Sequence, residues 1–316
     1  GPNISNCQFT SNNGYVGGAI YCNSGSNPLF ENCEFNNNNA TYGGSLASNN
    51  ASRPTVNDSV FNSGSAQQGG HIYVIGGSMP FFNRDSFEDG FATDRGGSFF
   101  VTSGPTHISD CDFSGNEANN WGGAISSTGF VNMTNCRIYG NSANIAGAAF
   151  FNASASVSNC VFSGNTTSSY GGAVYSAGSN LTISNSIFCG NTSINDGGAL
   201  FADGSSVVTA SNSVFAGNRA DYGGALAICN FGASLNAMNC TFSKNSAVVS
   251  GGAIYYNNPE INNLTNCIFS DNTAGMNGQA IEIVAATVVN VDYLAIPKLS
   301  FPEINGAIGG GLHYVS

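Results

Sequence analysis

The residues best suited to chemistry are the acidic and basic side chains concentrated between positions 84 and 117. Glu88, Asp89 and Asp94 fall in a predicted loop and form a candidate metal site, for which Ca²⁺ is the candidate ion because it prefers carboxylate oxygens. The alternative is a solvated acidic loop whose ion pairs stabilise little. Glycoside hydrolysis needs two carboxylates flanking a groove, and uronate elimination also needs a base. The segment does not indicate such a constellation, so no catalytic residue is assigned.

Composition narrows the classes of function. Charged residues make up 8% of the chain, and the net charge is −11 with only seven Lys and Arg. Nucleic-acid binding needs clustered basic residues to neutralise phosphates, so this chain is not expected to bind nucleic acid. It contains no run of 18 apolar residues, so we expect no membrane insertion. The start of the chain, in mid-repeat and without an initiator Met, indicates a processed piece of a secreted protein.

A short Cys/Ser-x-Phe step recurs along nearly the whole chain. Its eleven copies are spaced 24 to 27 residues apart, which is the signature of a solenoid. They begin at Cys7, Cys33, Ser59, Asp85, Cys111, Cys136, Cys160, Ser186, Ser213, Cys240 and Cys267. A position that accepts Cys, Ser and Asp needs a small side chain, so we predict free buried thiols and no disulfide ladder.

Each repeat predicts three short strands. In the first strand every second residue is apolar, up to a column of Asn or Asp residues. The inward-facing alternation shifts by one residue at this column, so the chain must bend there, with the Asn or Asp in the left-handed conformation. The second strand is Cys-x-Phe, followed by a turn Asn and a variable loop. The third follows a Gly pair, and no repeat leaves room for a helix. The fold class is therefore all-β: a single-stranded parallel β-helix (solenoid) of about 11 coils of 24–27 residues with three short strands per coil. Residues 1–292 form the predicted β-helix domain and 293–316 a non-repeat tail.

The third strand predicts which side faces solvent. The second residue after the Gly pair is always apolar and points inward, whereas the next residue tolerates Ser, Ala and Glu and points outward. The aromatic members of that outward column form a candidate ligand-binding stripe because Tyr and Phe faces stack on sugar rings. The predicted stripe is Tyr21, Tyr73, Phe100, Phe151, Tyr175, Phe201 and Tyr255. Arg95 and Trp121 occupy one column on consecutive coils, which predicts a cation–π stack.

The alternation of Phe-x-x-Asn with Gly-Gly-Ala-Ile, once per coil from about residue 7 to 282, resembles the repeats of chlamydial polymorphic membrane proteins. That resemblance implies a right-handed β-helix on a cell surface, an autotransporter-type passenger that acts as an adhesin. Several positions depart from the pattern. Gly64 and Gly90 replace the turn Asn, His71 replaces an Ala, and residues 147–149 read Gly-Ala-Ala.

Five Asn-x-Ser/Thr sites are candidate glycosylation sites. They are Asn39, Asn50, Asn165, Asn180 and Asn191. Asn165 and Asn191 are expected to be accessible because they occupy turns.

We therefore expect an extracellular structural or adhesive β-helix, a surface or filament-forming subunit without catalytic activity. The alternative is a polysaccharide-binding or polysaccharide-processing β-helix related in fold to pectate lyases and polygalacturonases. Expected partners are glycans, host or surface proteins, and other copies of the chain. The first coil begins in register and the tail is apolar, so the tail could pair with the first coil of a second copy head to tail.

Overall fold

A computed structural model describes residues 1–258, 260–284, 287–295, 304–305 and 308–310, the last two ranges as backbone only. Within these residues all regular structure is β-strand, and neighbouring coils pair in parallel, so the predicted parallel β-solenoid is confirmed. The chain divides into two compact units, Gly1–Ser156 and Val157–Ser316. The predicted boundary at residue 292 stays a prediction.

The first unit consists of three parallel β-sheets. The strands of the first sheet are Asn3–Ser5, Gln8–Thr10, Leu29–Glu31, Glu34–Asn36, Thr55–Asn57, Val60–Asn62, Phe81–Asn83, Ser86–Glu88, Thr106–Ser109, Asp112–Ser114, Val131–Thr134 and Arg137–Tyr139. The second sheet contains Asn13–Val16, Asn39–Tyr42, Ser65–Gln68, Phe91–Arg95, Glu117–Trp121 and Ser142–Ile145. The third contains Ile20–Cys22, Leu46–Ser48, Ile72–Val74, Phe99–Val101, Ile125–Ser127 and Ala149–Phe151. Strand Ala155–Ser158 spans the division between the units.

The second unit repeats this arrangement. Its first-sheet strands are Val161–Ser163, Asn180–Ser184, Ile187–Cys189, Val207–Ser211, Val214–Ala216, Ser234–Met238, Thr241–Ser243, Ile261–Ser270, Val288–Ala295 and Ile308–Gly310. The second sheet contains Thr166–Thr167, Thr192–Ser193, Arg219–Tyr222, Ser246–Ser250 and Thr273–Ala274. The third contains Val174–Ala177, Leu200–Asp203, Leu226–Cys229, Ile254–Asn257, Ile281–Val284 and Ile304–Asn305.

Each coil contributes to three sheets, as predicted, but the residues are assigned to those sheets differently. The two strands on either side of the Asn/Asp column belong to one sheet. The stretch expected to be a variable loop supplies the second sheet instead, for example Asn39–Tyr42 paired with Ser65–Gln68. A loop of varying sequence can still pair, because backbone groups alone form the ladder between coils.

The predicted bend is confirmed at the Asn/Asp column. Asn159 and Asn185 have φ of 53° and 49°, in the left-handed region that Asn tolerates best among residues with a side chain. Arg84 adopts the same conformation with φ of 57°, and its Nε donates to Asp58 Oδ1 at 2.6 Å. The ion pair replaces the side-chain amide hydrogen bond that links this column elsewhere, such as Asn266 Nδ2 to Asn239 Oδ1 at 2.7 Å.

Each interior contains a stack of Phe side chains and a ladder of buried Asn. In the second unit, Phe162 and Phe188 stack with centroids 4.7 Å apart and rings 3° from parallel. Asn191 contributes to the ladder: its Nδ2 donates to Asn218 Oδ1 and to the Phe162 carbonyl, both at 3.0 Å. These bonds satisfy backbone groups at a corner where the strands end, so the ladder stabilises the turn from inside.

The Asn ladder of the first unit is interrupted where Gly64 and Gly90 occur. A Cβ built on Gly64 would lie 2.4 Å from His71 Cδ2 and 2.6 Å from the Gly70 carbonyl oxygen, and one on Gly90 would lie 2.6 Å from His71 Cε1 and 2.4 Å from the Gly97 carbonyl oxygen. The His71 ring and the backbone of the following Gly pair together occupy the space that two ladder side chains would need. Glycine at positions 64 and 90 leaves room for this ring.

The cysteines are free thiols, as predicted. None of the ten, all of which lie in the described ranges, forms a disulfide, and Cys7 and Cys189 are the two that are more than marginally exposed. The buried thiols pack as small side chains. They also donate weak hydrogen bonds to the end of the preceding strand, for instance from Cys160 Sγ to the Ser158 carbonyl at 3.2 Å.

Candidate ligand-binding groove on the third sheet

The third-sheet strands alternate as predicted, with the apolar column inward and the aromatic column outward. Ile72, Ile125 and Leu200 are fully buried in the interior. The outward residues form separate clusters, one around Tyr73 and Phe100 in the first unit and one around Phe201 in the second.

One residue of the predicted stripe is wrong. The register pairs Ser126 with Phe150 and Ser127 with Phe151, so Phe150 occupies the outward column and Phe151 is buried inside. The cause is the preceding turn. Ala146, with φ of 60°, takes the place of the first glycine of the pair, so the inward position falls on Ala149, one residue earlier than the Gly-based count.

The other stripe residues are less exposed than the sequence suggests. Tyr21 is 46% exposed, whereas Tyr73 and Phe201 are 8% and 4% exposed. They face outward, but side chains from the column just before the Gly pair cover them; Tyr42 lies 5.1 Å from Tyr73 between ring centroids. The outward face therefore presents separate clusters of partly covered aromatic rings, instead of the flat, continuous stripe that was predicted.

In the first unit the aromatic cluster holds a cation from its own chain. The Arg95 guanidinium lies 3.9 Å from the Trp121 ring centroid and 5.9 Å from that of Phe100. Its Nε also lies 3.3 Å from Asp94 Oδ2. The predicted cation–π stack is confirmed.

In the second unit the corresponding aromatics surround an open groove of about 340 Å³. Phe201 lies at its centre, with the ring centroids of Tyr170 and Tyr175 each 4.9 Å away and tilted by 34° and 49°. Tyr222 and Tyr255 form another tilted pair at 5.0 Å. The remaining lining residues are Asp196, Asp203, Cys229, Asn230 and Asn257.

Asp203 is held firmly at one side of the groove. Tyr175 Oη donates to its Oδ2 at 2.8 Å, and Asn230 Nδ2 donates to its Oδ1 at 2.6 Å. The Gly204 N–H donates to Oδ1 as well, at 2.5 Å. Burial, and next this carboxylate, raise the pKa of Tyr175, so its hydroxyl stays protonated and keeps donating.

Asp196 is in a different environment. Burial, followed by the nearby charge of Asp221, raises the pKa of Asp196 to about 6. Within the described part of the chain its carboxylate has neither a hydrogen-bond donor nor an ion-pair partner. Burial, and after it Asp196 and Asp203, raises the pKa of Cys229 to about 12, so this thiol stays protonated and is a poor nucleophile.

Three of the groove residues, Tyr175, Phe201 and Tyr255, belong to the predicted stripe. Tyr170, Asp196 and Tyr222 were not predicted, although all three occupy the position directly before the Gly pair, the same column as Arg95 and Trp121. The aromatic residues in this column would have predicted the sides of the groove, had they been considered together with the stripe. Asp203 and Asn230 come from the turns after the third strand, where no sequence pattern marks them.

The acidic segment does not form the candidate metal site. Glu88 Oε1 accepts a hydrogen bond from Ser86, while Asp94 accepts from Gln68 at 3.1 Å and Asn120 at 3.0 Å. In the described ranges, no group of three or more His, Cys, Asp or Glu side chains is placed to hold a metal ion. Glu88 ends the strand Ser86–Glu88, Asp89 follows it, and Asp94 lies in the next strand, Phe91–Arg95. Each carboxylate with a described partner bonds to a neutral or basic neighbour instead.

Two of the glycosylation candidates are not accessible. Asn165 and Asn191 are fully buried, and both side chains belong to the Asn ladder, so the prediction that they can be reached is wrong. A turn Asn can point into the solenoid because the next coil covers it. Asn39, Asn50 and Asn180 are exposed and stay candidates.

Comparison with known proteins agrees with this architecture. The sequence profile of the right-handed beta helix region matches residues 3–188, more than half of the chain. The chain belongs to the right-handed β-helix family. The profile of the Chlamydia polymorphic membrane protein repeat matches residues 185–203 and 239–257 of this β-helix protein, which confirms the predicted resemblance. No curated protein and no solved structure matches it. Over the part that the structure describes, no helix has the length and hydropathy to cross a bilayer.

Proposed function

We propose that this β-helix is an adhesive protein of a cell surface, without catalytic activity, whose third-sheet groove contacts extracellular glycans. The repeat resemblance supports the location, because the matched repeats come from polymorphic membrane proteins. The observation that carries the proposal is the groove itself: five aromatic side chains converge on an outward face beside carboxylate and amide groups. Aromatic faces pack on sugar rings, and the polar groups bond to their hydroxyls.

A polysaccharide-processing enzyme is the second candidate, and one observation favours it. The raised pKa of Asp196, about 6, suits a general acid. Glycoside hydrolysis needs a second available carboxylate, however, and Asp203 is already occupied by three donors. Elimination needs a base, and among the described residues no Lys, Arg or His lines the groove. Burial raises the pKa of Tyr175 and Tyr255, so these hydroxyls stay protonated and are poor bases. Binding therefore accounts for the geometry better than turnover does.

The test is a glycan panel measured in two ways on the same protein. We expect the intact chain to bind at least one class of polysaccharide, and Tyr222→Leu to weaken that binding while the exposed control Tyr139→Leu does not. Incubation should release no reducing ends and no unsaturated uronate. Release that disappears in Asp196→Asn would favour the enzyme, and absence of binding to every glycan would contradict the adhesive function.

A further inference from the structure

The shape of the groove indicates more about its ligand than a flat stacking surface would. Its rings meet at tilts of 34° to 49°, so faces and edges converge from several sides. Aromatic faces carry negative potential, and rings arranged in this way attract a cation between them. The volume of about 340 Å³ exceeds what a single ammonium group fills, leaving room for a ring beside it.

In the first unit, the pre-glycine and outward columns bind a cationic side chain of the protein itself. There the pre-glycine column contains Arg95, and its guanidinium lies over Trp121 and Phe100 with Asp94 beside it. In the second unit the same column contains Asp196 between Tyr170 and Tyr222. The aromatic rings and the carboxylate are present, but no cation lines the groove among the described residues.

Asp196 completes the argument for a positively charged ligand. A half-buried carboxylate with no donor, next to Asp221, is costly to ionise, which is the reason for its raised pKa. A primary ammonium would provide both charge and hydrogen-bond donors. A quaternary ammonium would provide no donor, and a neutral sugar would provide no charge.

We propose that this groove binds a hexosamine unit with a free, protonated amino group, as in a deacetylated amino-sugar polysaccharide. The ammonium group bonds to Asp196, and the sugar ring packs against Tyr222 and Tyr255, which are only partly buried. This inference rests on the proposed glycan-binding function and names its ligand class.

The experiment is calorimetry of the intact chain at pH 7, where Asp196 is mostly ionised, with two ligands that share one sugar backbone and differ in whether the amino groups are free or acetylated. These are the β-1,4-linked glucosamine tetramer and its fully N-acetylated form. We expect the amino tetramer to bind about tenfold or more tightly, the range for a charged hydrogen bond in a partly desolvated site. Equal affinity, or binding of neither tetramer, would overturn the inference.

Variants locate the effect. Asp196→Asn keeps the shape of the side chain and should remove the preference for the amino form, whereas Asp271→Asn, on an exposed turn of the same unit, should leave it intact. A persistent preference in Asp196→Asn would place the ammonium elsewhere and overturn the proposal. If this variant does not fold, judged by circular dichroism, the comparison of the two tetramers on the unaltered chain still decides.

A lysine tetrapeptide separates the sugar from a peptide as the source of the ammonium. It should bind at least tenfold more weakly than the amino tetramer because it has no ring to fill the groove. Equal binding, lost in Asp196→Asn, would make the site a peptide-cation site and would contradict the hexosamine assignment. Failure of both tetramers with binding of another glycan on the panel would leave the adhesive function standing.

Discussion

At the scale of single residues, two buried titratable groups of the first unit give stability opposite dependences on pH. Asp85 occupies a position where other coils have Cys or Ser, and burial raises its pKa to about 8 even though the N–H groups of Ser59 and Asn83 donate to it. His71 lies in the interior, and burial lowers its pKa to about 3.

For Asp85, stability should fall as pH rises. Between the unfolded pKa of 3.8 and the folded pKa of about 8, the folded chain holds a proton that the unfolded chain has lost. The contribution is fully present below 3.8 and declines by about 1.4 kcal/mol per pH unit through this window. Asp85→Ser should remove that slope, because Ser fits the same position at Ser59 and Ser186.

Urea unfolding of both proteins at pH 5 and pH 8 measures this effect. The exposed Asp271→Asn serves as the control and should keep the wild-type slope. An Asp85→Ser variant that loses as much stability as the wild type between the two pH values would contradict the prediction.

For His71, stability should fall as pH drops. The unfolded chain takes up a proton near pH 6.5, but the folded chain takes it up only near pH 3. The free energy of unfolding therefore decreases as the pH falls from 6.5 to 3. His71→Leu should move the acid-unfolding midpoint downward, because Leu fills the same interior space and cannot take up a proton.

His71→Ala alone provides the comparison for this variant. It should cost about 2–4 kcal/mol of unfolding free energy, because it leaves a cavity between the two glycines. A His71→Leu variant that unfolds in acid at the same pH as the wild type would contradict the prediction.

At the scale of elements, the Gly pair sets how closely consecutive coils approach. A Cβ on Gly198 would lie 2.1 Å from the Gly224 carbonyl oxygen and 2.6 Å from the Arg219 nitrogen. Both are backbone atoms that a rotamer change cannot move. Spacing between the coils therefore depends on the second glycine of each pair.

Gly198→Ala should consequently lower the unfolding free energy by about 3 kcal/mol or more. Gly217→Asn is the matched control: Gly217 has φ of 63°, but a Cβ there meets nothing within 4 Å. Asn37 adopts φ of 53° at the same place in another coil, so this change should cost about 1 kcal/mol or less. Similar losses for both variants in urea unfolding would contradict the steric explanation.

At the scale of the whole molecule, head-to-tail association of copies stays a prediction. Most of the tail expected to make that contact lies outside the described residues. Its strands Ile304–Asn305 and Ile308–Gly310 pair in parallel with the last coil of the same chain, at Ile281–Glu282 and Val289–Val291. Head-to-tail pairing through these two strands would therefore use the edge that faces away from the last coil.

Sedimentation velocity tests this association over a range of concentrations. The intact chain should form species larger than a monomer as concentration rises, and a chain ending at residue 292 should not, provided that circular dichroism shows it folded. A monomer at every concentration would contradict head-to-tail growth.

Properties that depend on the local chain alone could be read from the sequence. The period of the Cys/Ser-x-Phe step determined the coils, and the Asn/Asp column determined the bends, because tolerance of the left-handed conformation belongs to the residue itself. The inward and outward faces of the third strand also followed from alternation, and the Arg95–Trp121 stack from their shared column.

Only the tertiary structure decided what depends on the neighbouring coil. Asn165 and Asn191 have the sequence of accessible turns, yet the next coil covers them and satisfies their amides. Phe151 became an interior residue because Ala146 can adopt the conformation of the missing glycine. The groove joins residues from separate coils, and the burial and charge that distinguish Asp196 from Asp203 arise only when those coils stack.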